Sequence, residues 1–124
     1  MNEKFKYSFD ESTEILFKYY YGDITLNDIS SSWDFAIEKG LIPANTKGFI
    51  IDYRKAKFKM DLNETNGIAD YYHHHLEIFG DKKIAIITIS PDQVIIPSLV
   101  ELKDDGYSSR PFYTLKAALS WVLS

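Results

Sequence analysis

The 124-residue chain contains no cysteine. This absence excludes disulfides, thiolate nucleophiles, zinc fingers and iron–sulfur clusters. No apolar run approaches the ~20 residues that a membrane-spanning helix needs, and the first residues lack the apolar segment of a signal peptide. We therefore expect a cytoplasmic protein. The length accommodates a single domain, residues 1–124, which needs no metal or disulfide to fold.

Recognisable catalytic and nucleotide-binding motifs are also missing. The chain has no P-loop, no G-x-G-x-x-G sequence and no G-x-S-x-G elbow of a serine hydrolase. The net charge of −4 weighs against general nucleic-acid binding, because such binding draws its affinity from Lys and Arg on phosphates. We therefore predict a protein that is not an enzyme, binds no nucleic acid and uses no cofactor.

The pattern of apolar residues predicts an α/β fold. Apolar residues alternate with polar ones in 5–9 and again in 15–21, which indicates an antiparallel hairpin that ends at Gly22 and Asp23. The continuous runs KGFIIDY and KKIAIITI indicate parallel strands covered on both faces, and RPFYT reads as a short last strand. We expect a mixed five-stranded sheet whose parallel strands are joined by crossover helices, with about four helices in all.

Capping residues and helical spacing predict the helices. Thr25 followed by Asp28 resembles a capping box, and Thr114 is a typical N-cap. One helix is expected from about Leu62 to Phe79. Another follows Ser90, with a kink or a late start because an interior proline, Pro97, breaks a helical hydrogen bond. The predicted inner face of that helix consists of Val94, Ile95, Leu99 and Leu102.

All three histidines are adjacent, at positions 73–75. Side chains advance about 100° per residue along a helix, so three neighbouring imidazoles diverge and cannot converge on one metal ion. Two pairs at a spacing of four, His73 with Glu77 and Asp70 with His74, could each hold an ion jointly. Catalytic zinc needs a third protein ligand, so we predict no metal site.

The segment DYRKAKFKMDLNET, residues 52–65, is the best candidate for a binding site. It follows a buried strand, and ligands of open sheets bind outside the carboxyl ends of the parallel strands. Four cations lie here, and the next helix begins nearby, where its first N–H groups favour an anion. We predict a loop from Tyr53 to Thr65 that engages a small anionic ligand or a protein partner; the alternative is that its cations are simply solvated.

Specific roles are assigned within this surface. Arg54 and Lys57 would contact the anionic group, while Asp61 and Asn63 would make polar contacts. The complete set of candidate binding residues is Tyr53, Arg54, Lys57, Asp61, Asn63, Thr65 and Thr25.

Two further features concern partners. In the run of Tyr19, Tyr20 and Tyr21, one tyrosine must face away from the other two, so the run could add to a partner surface. The first strand is expected at an edge of the sheet, where it could pair with a second copy of the chain in a homodimer. The charged side chains of Lys4 and Lys6 partly disfavour such pairing at this edge.

Four stretches together resemble the SpoIIAA-like, or STAS-like, domains: YGDITLNDI with the following W and AI, KGFIIDYRKAKF, KKIAIIT and FYTLKAALSWV. Such domains commonly close with an aromatic strand and an AA-x-x-W-hydrophobic helix, here Ala117, Ala118, Trp121 and Val122. The resemblance covers nearly the whole chain. It implies a non-enzymatic regulatory domain that engages a protein partner or a small ligand.

In the anti-sigma-factor antagonists of this group, a strand ends in Asp and leads to an Asp-Ser-Ser-Gly sequence in which one serine is phosphorylated. Asp52 and Asp61 match the two aspartates, but Leu, Asn and Glu follow at 62–64, so the switch serine is missing. This departure from the family pattern argues against a phosphorylation switch, and Thr65 fits a helix cap better than a displaced acceptor.

Stand-alone members of the wider group include some that resemble lipid-binding Sec14 domains. Together with the aromatic content of 15%, this kinship leaves a carrier of apolar, lipid-like ligands as the alternative function. Such a carrier requires a cavity of at least ~300 Å³. An enzyme without a recognisable motif is the third option.

Overall fold

A computed structural model describes residues 4–124 of the chain. The strands are β1 (Phe5–Asp10), β2 (Ile15–Ile24), β3 (Gly48–Phe58), β4 (Lys83–Ile87) and β5 (Ser108–Phe112). The α-helices are α1 (Leu26–Glu38), α2 (Thr65–His73), α3 (Leu76–Phe79), α4 (Pro91–Glu101) and α5 (Leu115–Val122), and a 3-10 turn at Leu62–Glu64 precedes α2.

The strands form one mixed sheet in the order β1-β2-β3-β4-β5. β1 pairs with β2 antiparallel, and every later pair is parallel, so the predicted fold class is confirmed. The strands follow one another across the sheet and crossovers between parallel strands are right-handed, which brings α1, α2 and α4 to the same face. Helix α5 covers the other face.

Alternation along the strands divides the apolar residues between two cores. Phe49 and Ile51 of β3 belong to the larger core, together with Trp33 of α1. Ile50, between them in sequence, belongs to a smaller core beneath Ala118 of α5. The prediction that the continuous apolar runs are covered on both faces is therefore confirmed.

Two helix starts follow the predicted caps. The Thr25 Oγ1 accepts the Asp28 N–H at 3.1 Å, and the Asp28 Oδ2 accepts the Thr25 N–H at 2.9 Å, which completes the capping box. The Thr114 Oγ1 accepts the Ala117 N–H at 3.1 Å at the start of α5. Each cap satisfies N–H groups that the first helical turn leaves without an intrahelical acceptor.

The second strand is longer than the sequence indicates. The prediction that it ends at Gly22 and Asp23 is wrong, because β2 continues to Ile24 while β3 runs beside it to Phe58. Gly22 adopts a φ of +76°, a conformation that glycine accepts without strain, and the pairing with β3 goes on past it. The first part of the predicted loop, from Tyr53 to Phe58, is therefore strand.

The predicted helix from Leu62 to Phe79 is interrupted. Helix α2 ends at His73 and α3 begins at Leu76, so the described residues contain one more α-helix than expected. The break falls at His75, whose φ of −128° and ψ of 45° lie outside the helical region. The apolar spacing continues across the break, which is why the sequence reads as one helix.

Helix α4 buries a different face from the predicted one. It begins at Pro91 and continues through Pro97 to Glu101. Of the two effects expected from Pro97, the late start is therefore wrong, and the kink stays a prediction. Its buried residues are Gln93, Ile96, Pro97 and Val100. Of the predicted inner face, Ile95 and Leu102 are exposed and Val94 and Leu99 are only partly buried. Apolar residues occur on several sides of this helix, and the burial of a glutamine sets its rotation.

Candidate functional site

A cleft of about 590 Å³ opens where β3 reaches its carboxyl end and α4 begins. The cations that line it are Arg54, Lys55, Lys57 and Lys59, and the other polar side chains are Asp23, Ser90, Asp92 and Gln93. The first turn of α4 forms one wall, and its N–H groups and helix dipole favour a negative charge. Four cations against two carboxylates make this cleft electropositive.

The extension of β3 determines how the lysines are presented. Lys55 and Lys57 are two residues apart on a strand, so their side chains emerge on the same face, and both are exposed. Lys59 follows the end of the strand and is also exposed. Within residues 4–124, none of these three ammonium groups has a carboxylate within salt-bridge distance. Their charge is therefore available to a ligand.

Arg54 is placed differently from the lysines. Its Nη2 lies 2.7 Å from the Asp52 Oδ2, and its Nε lies 3.1 Å from both carboxylate oxygens of Asp52. The hydrogen bonds that Arg54 donates to this nearly buried carboxylate raise the pKa of Arg54 further above its ordinary value. Arg54 thus stays charged, but Asp52 already neutralises much of that charge.

A bulge in β3 creates the wall of the cleft. Tyr19 pairs with Asp52 and Tyr21 pairs with Lys55, so two residues of β3 lie opposite one residue of β2. The side chain of Gln93 forms hydrogen bonds with backbone carbonyls of β3 at this bulge. Its Nε2 donates to the carbonyls of Tyr53 at 2.9 Å and Ala56 at 2.8 Å, and its Oε1 accepts the Ile89 N–H at 2.6 Å.

Three of the predicted binding residues have structural roles. Tyr53 is buried and packs between Tyr20 and Phe58, with ring centroids 4.8 and 4.3 Å apart. Thr65 is buried as well, and its hydroxyl donates to the Leu62 carbonyl at 2.7 Å. Thr25 caps α1. The two threonine hydroxyls are therefore occupied within the fold, and all three residues lie outside the cleft lining.

The remaining predicted residues divide into two groups. Arg54 and Lys57 line the cleft, as described above. Asp61 and Asn63 are exposed on and beside the 3-10 turn, away from the cleft lining, and their contact with a ligand stays a prediction.

Sequence reasoning missed Ser90 and Gln93. A signal for them exists, since SPDQ directly follows a buried strand and Ser-Pro is a common helix start. This start places Gln93 one turn into the helix, at the carboxyl end of the neighbouring strand.

The histidine segment is held by its own backbone. The Nδ1 atoms of His74 and His75 donate to the carbonyls of Asp70 at 2.7 Å and Tyr71 at 2.8 Å, since a carbonyl oxygen can only accept. The Nδ1 of His73 donates to the Asp105 carbonyl at 3.2 Å. In the described part of the chain, no three His, Asp or Glu side chains are grouped so that they could hold a metal ion.

The run of tyrosines is split by the sheet. Tyr20 is buried in the larger core, while Tyr19 and Tyr21 are partly exposed on the opposite face. Together with Asp52, Arg54 and Lys55, the run lines a second cleft of about 470 Å³. One tyrosine does therefore face away from the other two, as the sequence indicates.

With this geometry established, comparison with known proteins defines the class of fold. No family model matches the sequence, and no curated protein matches it. The structure, however, has a SpoIIAA-like fold, which confirms the resemblance seen in the sequence.

Two solved structures illustrate the likeness. One is an uncharacterised protein of the DUF3478 family with a SpoIIAA-like fold from Shewanella loihica PV-4. It is 19% identical in sequence, with a TM-score of 0.66 and 98% of each chain covered. The other is the anti-sigma factor antagonist SpoIIAA in its unphosphorylated form, which is 14% identical with a TM-score of 0.51, covering 95% of this chain and 96% of SpoIIAA.

Among residues 4–124, no helix has the length and the hydrophobicity that crossing a membrane would require.

Proposed function

We propose that this chain is a non-enzymatic regulatory domain that binds the anionic group of a protein partner, or of a small ligand, in the cleft between β3 and α4. The observation that carries the proposal is the set of three exposed lysines, Lys55, Lys57 and Lys59, which have no carboxylate partner and line this cleft. These lysines lie beside the first turn of α4, whose N–H groups and helix dipole also favour an anion.

The fold supports a regulatory role. SpoIIAA is an anti-sigma factor antagonist, and we extend a comparable partner-binding role to this chain. The lack of a switch serine after Asp61 and the burial of Thr65 favour binding that does not depend on phosphorylation of this segment. Mass spectrometry of the protein from its native host would detect a phosphate if this inference were wrong.

The interior favours a binding surface over a carrier of apolar ligands. Trp33 packs against Phe49 and Phe79 with ring centroids 5.7 and 5.1 Å apart, and Tyr72 lies 4.8 Å from Phe79. These rings fill the layer between the sheet and its helices, where a carrier would need a cavity. The strongly shifted pKa values also belong to buried core residues, Lys18, Tyr20 and Tyr53, rather than to the cleft lining, which favours binding over catalysis.

Charge reversal of the cleft lysines tests the proposal. The tagged wild-type protein and the double variant Lys55→Glu/Lys57→Glu would be used to capture binding partners from the native host. We expect the variant to lose the captured species while keeping the wild-type melting temperature, because both side chains are exposed and unpaired. Lys103→Glu, which reverses an exposed lysine beyond the end of α4, is the matched control and should capture normally. Equal capture by the wild type and the double variant would refute the proposal.

Self-association remains a separate prediction. β1 is an edge strand of the sheet, so its outer backbone groups can pair with another chain, and Lys6 is exposed on it. Light scattering after size exclusion would distinguish a monomer from a dimer.

A further inference from the structure

Lys18 is a lysine in the interior of the protein. It lies in the middle of β2, and its relative exposure is 0%. Lysine is almost never fully buried without a charged partner. Within residues 4–124, no carboxylate lies within salt-bridge distance of its amine.

Aromatic rings surround the amine. Its nitrogen lies 3.9 Å from the ring centroid of Trp33 and 4.5 Å from that of Tyr20. The rings of Tyr7 and Phe5, from β1, are 5.1 and 5.7 Å away. The side chain is therefore enclosed between the edge strand, its own strand and helix α1.

Within residues 4–124, only one oxygen accepts a hydrogen bond from this amine. The Lys18 Nζ donates to the Ser32 Oγ, the Ser32 hydroxyl donates to the Ile29 carbonyl at 2.9 Å, and the Tyr20 hydroxyl lies 3.0 Å from the same Oγ. A protonated amine has three N–H donors, so two would have no oxygen acceptor here. A neutral amine leaves fewer donors unsatisfied and carries no charge into the interior.

The other titratable groups near Lys18 do not supply a negative charge. Tyr7 from β1 and Tyr20 from β2 have pKa values raised mainly by burial, as does Tyr53 from β3, which stacks on Tyr20. These phenols therefore remain neutral. On α1, Asp28 is paired with Lys4 and Asp34 accepts the Tyr71 hydroxyl, both at the surface.

We propose that the folded domain holds the Lys18 amine without its proton, so that folding at neutral pH releases one proton from this side chain. The ring faces of Trp33 and Tyr20 would stabilise a cation to some extent, but they accept no conventional hydrogen bond and do not replace the water that the amine has lost. Burial accordingly lowers the pKa of Lys18 well below its ordinary value.

The proposal has a definite consequence for stability. In the unfolded chain, Lys18 has an ordinary pKa of about 10.4 and is protonated at neutral pH. Between the folded and unfolded pKa values, the unfolded state binds one more proton, so this residue makes stability rise with pH. The unfolding equilibrium constant then falls tenfold for each pH unit, or about 1.4 kcal/mol per unit. Below the folded pKa, the contribution is constant.

Replacement by an apolar side chain of similar length removes this dependence. Urea unfolding of the wild type and Lys18→Met would be compared between about pH 6.5 and about pH 9.5. Tyrosines of the unfolded chain begin to ionise toward the upper end of this range, but they do so equally in both proteins and cancel in the comparison. We expect the variant to be more stable at pH 7 and the gap between the two proteins to narrow as the pH rises. Lys6→Met, at an exposed position on β1, should follow the wild-type profile. A gap independent of pH would overturn the proposal.

Nuclear magnetic resonance provides a second test that needs no variant. The Cε chemical shift of 13C-labelled lysine reports the protonation of each amine in the wild-type protein. We expect the Lys18 resonance to change at a lower pH than those of the exposed lysines, or to have the shift of a neutral amine throughout the range. Titration of Lys18 together with the exposed lysines would overturn the proposal, even if Lys18→Met failed to fold.

Discussion

Two groups of basic side chains in the molecule differ in their partners. The histidines at and after the carboxyl end of α2 donate to backbone carbonyls of the same segment or of the loop at Asp105. The cleft lysines, on and just after β3, have no acidic partner in the described part of the chain. A basic cluster engaged by the fold's own backbone serves structure, whereas one left without partners in a cleft is available for binding.

The largest expected effect tests whether the cleft wall depends on Gln93. Gln93→Leu removes the hydrogen-bond partners of two buried carbonyls and of one partly buried N–H, so we expect the free energy of unfolding to fall by about 3 kcal/mol. Urea denaturation measures it. Asp92→Asn, at the exposed neighbouring position, should change stability by less than about 0.5 kcal/mol. An unchanged denaturation midpoint for Gln93→Leu would show that the bulge does not depend on the hydrogen bonds of Gln93.

A smaller effect separates Arg54 from the cleft lysines. Arg54→Glu places a second carboxylate against Asp52, so we expect a loss of about 1–2 kcal/mol in unfolding free energy, discounted for the exposure of the arginine. Lys57→Glu should cost almost nothing, since that lysine is exposed and unpaired. Thermal denaturation of the two variants side by side makes the comparison. Equal losses would mean that Arg54 and Lys57 are in equivalent surroundings.

The smallest effect concerns the histidine segment. His73→Ala and His74→Ala each remove one hydrogen bond from an exposed ring to a backbone carbonyl, which should lower the free energy of unfolding by about 0.5–1 kcal/mol. Partner capture should be the same as for the wild type. Loss of capture in either variant would indicate that the histidines, rather than the cleft, bind the partner.

The fold was largely predictable because its signals are local. Alternating and continuous apolar runs distinguish the hairpin from the parallel strands, and Thr25 and Thr114 are recognisable caps. The break at His75 and the rotation of α4 were not predictable, because both depend on tertiary packing. The buried side of α4 includes Gln93, whose partners are carbonyls of β3 about 40 residues earlier.

The candidate site was predictable only in part. Arg54 and Lys57 were expected at the carboxyl end of a strand, and both line the cleft. The extension of β3 past Tyr53 was not expected, because it requires β2 to continue beyond Gly22 beside it. Tyr53 consequently lies in the core, and the opposite wall comes from α4.

The most direct test of the cleft is to follow backbone amide resonances while a glutamate-rich peptide is added to the wild-type protein. We predict chemical-shift changes in residues 54–59 and 89–93, on the two walls of the cleft, with residues 73–75 unaffected. The changes should disappear in Lys55→Glu/Lys57→Glu. Shifts centred on residues 73–75, or no shifts at the cleft, would contradict the proposal that the unpartnered lysines rather than the histidines form the binding site.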